Sequence, residues 1–146
     1  MGLQALRRSG RFQAAIFRCG LTDLVSWKVE RPGIETVYQE LIPGYNAEDQ
    51  APLIERSAVY WADELPKSTP ILWMHGTADW RVSPGSALRF AGALQENEIP
   101  YRLVMFEGAD HSLTGFHGER DRLTREWLDR YVRDGKPAPS MEPHGD

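Results

Sequence analysis

Two residues of types that carry out acid–base chemistry each follow an apolar stretch of the sequence. Asp79 comes after PILWMHGTA, and His111 comes after YRLVMFEGAD. An imidazole that acts as a general base becomes charged in the transition state, and a buried carboxylate on its other nitrogen fixes the tautomer and stabilises the imidazolium. In a well-studied enzyme such a carboxylate contributes on the order of 10⁴ to kcat. We therefore take His111 as a candidate base and Asp79 as the acid that orients it.

Three apolar runs are predicted to form the strands that position this pair. They lie within residues 12–17, 70–76 and 101–108, and the first is expected to be buried on both faces. Helical patterns separate the runs, and this alternation is typical of an α/β fold with three parallel strands flanked by helices. Because ligand sites in open α/β sheets lie beyond the carboxyl ends of the strands, Asp79 and His111 should meet there on neighbouring loops.

The helices between the strands are predicted from apolar spacing and from their end signals. A short helix is expected to end near Gly10, a second lies around residues 34–41, and a third begins at Asn46. Ser83 is predicted to cap a helix after the second strand, and the last helix is expected to end at Gly135. Residues 1–135 are thus assigned to one folded portion, and the Pro-rich residues 136–146 to a disordered tail.

Composition limits the classes of function. The chain has 146 residues, of which 41% are hydrophobic and 26% charged, and this suits one ordinary domain. A net charge of -4 with mixed signs gives no basic field for nucleic acid, and no apolar run is long enough to cross a bilayer. The single cysteine, Cys19, forms no internal disulfide and is expected to be a small buried residue. The compartment is left unassigned, with a cytoplasmic location as the default, since a leader would lie in sequence before Met1.

Several stretches together resemble the C-terminal part of the catalytic domain of the prolyl oligopeptidase family of serine peptidases. They are HGTADWRV and YRLVMFEGADHSL, with RFQAAIFRCGLTDL and ERSAVYWADELPKSTPILWMHG before them. The resemblance implies a partial α/β-hydrolase fold and peptide bond hydrolysis by acyl transfer. It also implies that Asp79 is the triad acid and His111 the triad base, in the chain order serine, acid, histidine.

The sequence departs from the pattern of that family in ways that bear on the substrate. Trp80 and Arg81 occupy positions that are often acidic or amide, Ala58 stands where proline is common, and Ser112 follows the histidine where glycine is frequent. We expect Trp80 and Arg81 to line the substrate pocket, with simple surface placement as the alternative. The substrate would be a peptide or a small ester.

The nucleophile of such a triad has no counterpart in the sequence. The Gly-x-Ser-x-Gly pattern of a nucleophile elbow occurs nowhere in the chain. By the resemblance, MGLQALRRSG matches the later turns of the helix that starts at the serine, so the serine would lie roughly one helical turn before Met1. Met1 would then be an internal methionine. The missing N-terminal half of the domain would be a partner, and the chain alone is expected to be inactive.

Two other functions stay open at this stage, along with structural alternatives for single residues. One is an esterase or dienelactone-hydrolase-like enzyme of the same fold, and the other is a non-catalytic remnant that folds with a partner. His75 is expected to be structural, and Asp23 to be a loop or capping residue. No cofactor is implied, and no metal site is assigned, since the spacing of Asp110, His111 and His117 matches no helical ligand pair.

Overall fold

The computed structural model describes residues 2–145, and its centre is a parallel sheet. The strands are β1 (Ala15–Arg18), β2 (Ile71–Gly76) and β3 (Tyr101–Phe106), in the order β1-β2-β3. Ile16 lies opposite Leu72, and Trp73 lies opposite Leu103. The predicted α/β fold class, with three parallel strands flanked by helices, is confirmed.

Residues 2–145 contain six α-helices. They are α1 (Gly2–Arg8), α2 (Leu24–Glu30), α3 (Glu35–Leu41), α4 (Ala51–Glu55), α5 (Pro84–Glu96) and α6 (His117–Leu128). Short 3₁₀ turns at Ala58–Tyr60 and Ala62–Glu64 precede β2, and a π turn at Asp129–Arg133 extends α6. Residues 134–145 contain no helix or strand. Within residues 2–145, no helix combines the length and the apolar character needed to cross a bilayer.

The starting points of two helices follow from their N-capping residues. The Asp23 carboxylate accepts a hydrogen bond from Ser26 N at the start of α2, as its capping interpretation predicts. Ser83 caps α5, and Pro84 occupies the first turn, where a missing N–H costs nothing.

The prediction that a helix starts at Asn46 is wrong. The Asn46 side chain instead accepts from Glu48 N in a turn, and α4 begins only at Ala51.

The core lies on both faces of β2, whose six residues are all buried. Ile71 and Trp73 point into a cluster with Phe90 and Leu94 of α5. Leu72 and Met74 point to the opposite face, into a cluster that includes residues of α6. Because successive strand residues alternate between faces, an uninterrupted apolar run is what a strand covered on both sides requires.

The expectation that the first strand is buried on both faces is wrong. Its residues Ala15, Ile16 and Phe17 are only half-buried, and Phe12, predicted within the strand, precedes it and is 45% exposed. The cause is the position of β1 in the sheet, since among the described residues it pairs only with β2 and its other edge has no neighbouring strand. A strand at an edge lacks the cover that a central strand receives.

Candidate active site

The loop after β2 and the loop after β3 are tied together by backbone contacts. Thr77 N donates to Phe106 O at 2.9 Å, and Ala78 N donates to Ala109 O at 3.0 Å. Gly76 makes this close approach possible, because a Cβ at that position would overlap the backbone carbonyl of Ala109. Two loops of distant sequence are thereby held at one point of the carboxyl edge of the sheet.

Asp79 lies at this point with its carboxylate buried; the whole residue is 5% exposed. Oδ1 accepts hydrogen bonds from Arg81 N at 2.8 Å and from Val82 N at 3.0 Å. Oδ2 lies 2.8 Å from Nδ1 of His111. Burial by itself would raise the pKa of Asp79, but the bonds from Val82 N, His111 and Arg81 N outweigh it, and the pKa is lowered from 3.8. The acid at the end of a buried strand is therefore held ionised.

His111 is positioned by a loop that its neighbour Asp110 organises. The Asp110 carboxylate accepts bonds from Ser112 N, Thr114 N and the Thr114 hydroxyl, and these bonds lower the pKa of Asp110. Leu113 anchors the loop in the core at 1% exposure, with φ of 56°. The His111 side chain keeps 32% of its surface exposed. Asp110 thus has a structural part, and the ring of His111 can reach both the acid and solvent.

The tautomer of His111 follows from its partner. A carboxylate only accepts hydrogen bonds, so Nδ1 carries the proton that faces Asp79 Oδ2. In the neutral ring Nε2 then bears a lone pair, as a general base requires. The structure therefore brings together the two residues that the sequence singled out, at hydrogen-bond distance.

His75 is fully buried beneath this pair. Its Nε2 lies 3.0 Å from Val82 O and 3.3 Å from Asp79 Oδ2, and Trp73 Nε1 donates to its Nδ1 at 3.4 Å. This arrangement fits a neutral ring with the proton on Nε2, and burial lowers the pKa of His75. The structural interpretation of His75 agrees with these bonds, which support the loop from Asp79 to Val82.

Cys19 completes the buried surroundings of the carboxylate. It follows β1 with φ of 46° and is 4% exposed, as expected of a small buried residue. Burial raises the pKa of its thiol to about 11. Ligand atoms of Cys19, His75 and Asp79 lie within 4.8 Å of one another. A metal ion there would need a thiolate and a free imidazole nitrogen, yet the thiol pKa is raised and both nitrogens of His75 have partners. We assign these residues to support of Asp79.

Trp80 and Arg81, the two predicted substrate contacts, line a cavity of about 270 Å³ that Asp79 also borders. The Trp80 side chain is largely exposed, at 69%. Two further wall residues, Trp27 and Arg31 at the end of α2, are not among the predicted substrate contacts. The signal was available in their position shortly after the carboxyl end of β1, the end at which such sheets place their ligands.

An open parallel α/β sheet with a hydrogen-bonded aspartate and histidine at its carboxyl edge defines an α/β-hydrolase type of domain. The sequence model of the prolyl oligopeptidase family matches residues 1–135, and the chain belongs to this family. Among curated proteins, the acylamino-acid-releasing enzyme of Mus musculus is 25% identical over 115 residues, which is 77% of this chain and 15% of that protein.

Solved structures agree with this membership. A puromycin-hydrolyzing peptidase of Mycobacterium tuberculosis is 27% identical with a TM-score of 0.76, covering 89% of this chain and 20% of that one. The acylaminoacyl peptidase of Pyrococcus horikoshii has a TM-score of 0.78 at 20% identity, and the match covers 94% of this chain and 23% of the peptidase chain. The chain thus spans less than a quarter of the length of these relatives.

Proposed function

We propose that this chain supplies the acid and the base of a serine peptidase site, with His111 as the base and Asp79 as the residue that orients it. The single observation that carries the proposal is the 2.8 Å hydrogen bond between His111 Nδ1 and the buried Oδ2 of Asp79. Family membership supports the assignment, as does the location of the pair at the carboxyl edge of the sheet.

In the proposed reaction, Nε2 of His111 takes the proton from a serine hydroxyl as the oxygen attacks the carbonyl carbon of the peptide bond. The same nitrogen then gives this proton to the leaving amine, and water repeats the sequence to release the acyl group. The ring is positively charged in between. Asp79 stabilises that charge because its lowered pKa keeps the carboxylate ionised throughout.

The serine itself is proposed to come from polypeptide sequence outside these 146 residues. None of the serines in the chain lies in a Gly-x-Ser-x-Gly stretch, and such an elbow is what exposes the hydroxyl at the top of an α/β-hydrolase sheet. The oxyanion donors of this fold are the N–H of the residue after the nucleophile and an earlier loop, so they would come from the same source.

Trp80 and Arg81 are proposed to contact the substrate, which we take to be a peptide. Both border the cavity that Asp79, the partner of His111, also lines. The Arg81 backbone carbonyl is fixed by Trp27 Nε1 at 3.1 Å and Arg31 Nη1 at 3.3 Å, so this part of the wall is preorganised.

A chimera tests the proposal in a complete catalytic domain. Residues 2–135 would replace the matching segment of the Mycobacterium tuberculosis peptidase, which retains its own serine. We expect the folded chimera to react with a fluorophosphonate probe and to hydrolyse peptide amides, while the isolated chain stays unlabelled. Asp79→Asn in the chimera should lower kcat by about 10⁴ with the fold intact. An Asp79→Asn chimera that turns over as fast as its parent would refute the assignment.

The same chimera separates peptidase from esterase activity. A matched peptide amide and simple ester of the same acyl group would be compared through kcat/KM. Fold and triad do not choose the acyl group, so this choice rests on the pocket walls. Measurable amide hydrolysis supports the peptidase assignment, and turnover of the ester alone would favour the esterase.

A further inference from the structure

The cavity beside Asp79 has a positively charged wall that the proposed chemistry does not use. Arg31 Cζ lies 5.8 Å from the ring centroid of Trp27 and 5.4 Å from that of Trp80, so its guanidinium packs against two indoles. Arg81 Cζ lies 5.2 Å from the centroid of Trp80. Stacking of this kind orients a guanidinium so that it donates in its own plane; Arg31 Nη1 already donates to Arg81 O, which leaves Nε and Nη2 of Arg31 for a ligand.

These two guanidinium groups lack acidic partners. Within residues 2–145, neither Arg31 nor Arg81 takes part in a salt bridge. Glu30 also borders the cavity, and its carboxylate lies 3.1 Å from Arg89, which it shares with Asp23. The charge of Asp79 is buried and already bonded to Arg81 N, Val82 N and His111. The wall therefore carries two guanidinium groups that have no carboxylate within salt-bridge distance, although Glu30 borders the same cavity.

From this wall we infer that the cavity binds an acidic side chain of the substrate, and that Arg31 is the residue that selects it. This inference rests on the proposed function, because it places the substrate at the cavity that Asp79 borders. A planar guanidinium fork matches the two oxygens of a carboxylate, and such charge-assisted bonds are about twice as strong as neutral ones. The indoles of Trp27 and Trp80 would contact the methylene groups of the same side chain.

The size of the cavity fits one side chain. Its volume of about 270 Å³ lies just below the range of roughly 300–1,000 Å³ typical of pockets for drug-sized ligands. An aspartate or glutamate side chain of a peptide is a better match than a large ligand. The carboxylate at the end of a peptide is the other source of the same chemistry, and the test distinguishes the two.

The test measures binding to the chain itself, with the indole N–H signals of Trp27 and Trp80 followed by NMR during titration. Three probes are compared: N-acetylglutamate N-methylamide, its glutamine counterpart, and N-acetylglutamine, which has only a terminal carboxylate. We expect the glutamate amide to bind about tenfold more tightly than the glutamine amide at low salt, with the difference shrinking as salt is added.

Variants assign the preference to the guanidinium groups. Arg31→Gln should reduce the tenfold difference to within about twofold, and Arg81→Gln should reduce it less. Arg122→Gln on the exposed face of α6 is the matched control and should leave the preference unchanged. If Arg31→Gln fails to fold, Arg81→Gln decides, since its side chain is exposed.

Three results would overturn the inference: equal binding of the two amides, no perturbation by any probe, or tightest binding of N-acetylglutamine. A preference that survives both arginine variants would overturn it as well. The outcome is separable from that of the chimera. An acidic preference with an inactive chimera would leave the carboxylate site standing but remove its role in a peptidase substrate, and hydrolysis without the preference would uphold the proposed function and overturn this inference.

Discussion

The carboxyl end of β2 and the outer edge of β1 belong to the same sheet but differ in what surrounds them. At the first, the carboxylate of Asp79 has a donor on each oxygen, and His75 beneath it has partners on both nitrogens. At the second, Ile16 and Phe17 stay half-buried and the edge has no strand beside it among residues 2–145. The first region is organised entirely by groups within the described chain.

The buried side-chain polar atoms that lack a hydrogen-bond partner lie outside the Asp79 site. Among the described residues these are Gln4 Oε1 of α1 and Trp127 Nε1 of α6, and neither belongs to the Asp79 site. Gly2 of α1 lies so close to Phe17 that a Cβ there would crowd its ring, which places the start of α1 beside β1. The local order of the acid–base pair should therefore depend on β2 and β3, and little on what covers β1.

The largest effect should come from removing the acid. Asp79→Ala leaves two backbone N–H groups and His111 without their shared acceptor, and we expect a loss of about 3–5 kcal/mol in the free energy of unfolding. Asp79→Asn keeps one acceptor oxygen and should cost less. Urea unfolding measures both, and equal stability of Asp79→Ala and the parent would contradict the account of the buried carboxylate.

Paired positions on the two strands provide a matched comparison. Leu72 is fully buried in β2 and lies opposite Ile16 of β1. Leu72→Ala should cost about 3 kcal/mol, and Ile16→Ala about 1 kcal/mol, because less apolar surface is lost at the edge. Denaturant midpoints would show the difference, provided that the unfolding free energy depends on denaturant concentration with the same slope in both variants. Similar losses at both positions would mean that β1 is better covered than its exposure indicates.

Acid should destabilise the chain through His75. Burial lowers the pKa of His75 in the folded state from 6.5, so below about 6.5 the unfolded state binds more protons and stability falls as the pH decreases. The slope contributed by this one group is at most about 1.4 kcal/mol per pH unit. His75→Gln should flatten the unfolding free energy in this window. The loss of stability that comes from protonating Asp79 begins at a lower pH, below its ordinary pKa of 3.8.

A pH profile of His75→Gln with the same slope as the parent between neutral and mildly acidic pH would exclude His75 as the source. His111→Gln is the matched control variant, since it removes the neighbouring imidazole while leaving His75 in place.

The smallest effect on stability is expected at the outer edge. Phe12 is 45% exposed and borders an apolar cavity with Ile16 and Phe17. Phe12→Lys should change the free energy of unfolding by no more than about 0.5 kcal/mol and should reduce self-association, since a charge beside an open edge hinders strand pairing. Sedimentation at increasing concentration measures this. Unchanged association would show that the edge is not the contact surface.

Much of the sheet and the site could be predicted from sequence because the signals are local. The apolar runs before Asp79 and before His111 mark two strands, and the parallel arrangement then places both residues at one edge. The predictions that failed concern features that depend on distant contacts. The half-burial of Ile16 reflects a missing neighbour, and the start of α4 reflects competition from a turn at Asn46. The wall residues Trp27 and Arg31 were missed because their partner, Arg81, lies about fifty residues away in sequence.

The tautomer of His111 is the most direct test of its hydrogen bond to Asp79. Nitrogen-15 NMR of the labelled imidazole reports which nitrogen carries the proton. We expect the proton on Nδ1, hydrogen-bonded to Asp79, with no proton on Nε2, and a shift toward a mixture of tautomers in Asp79→Asn. A proton on Nε2 in both proteins would contradict it, because that nitrogen could then accept no proton from a serine.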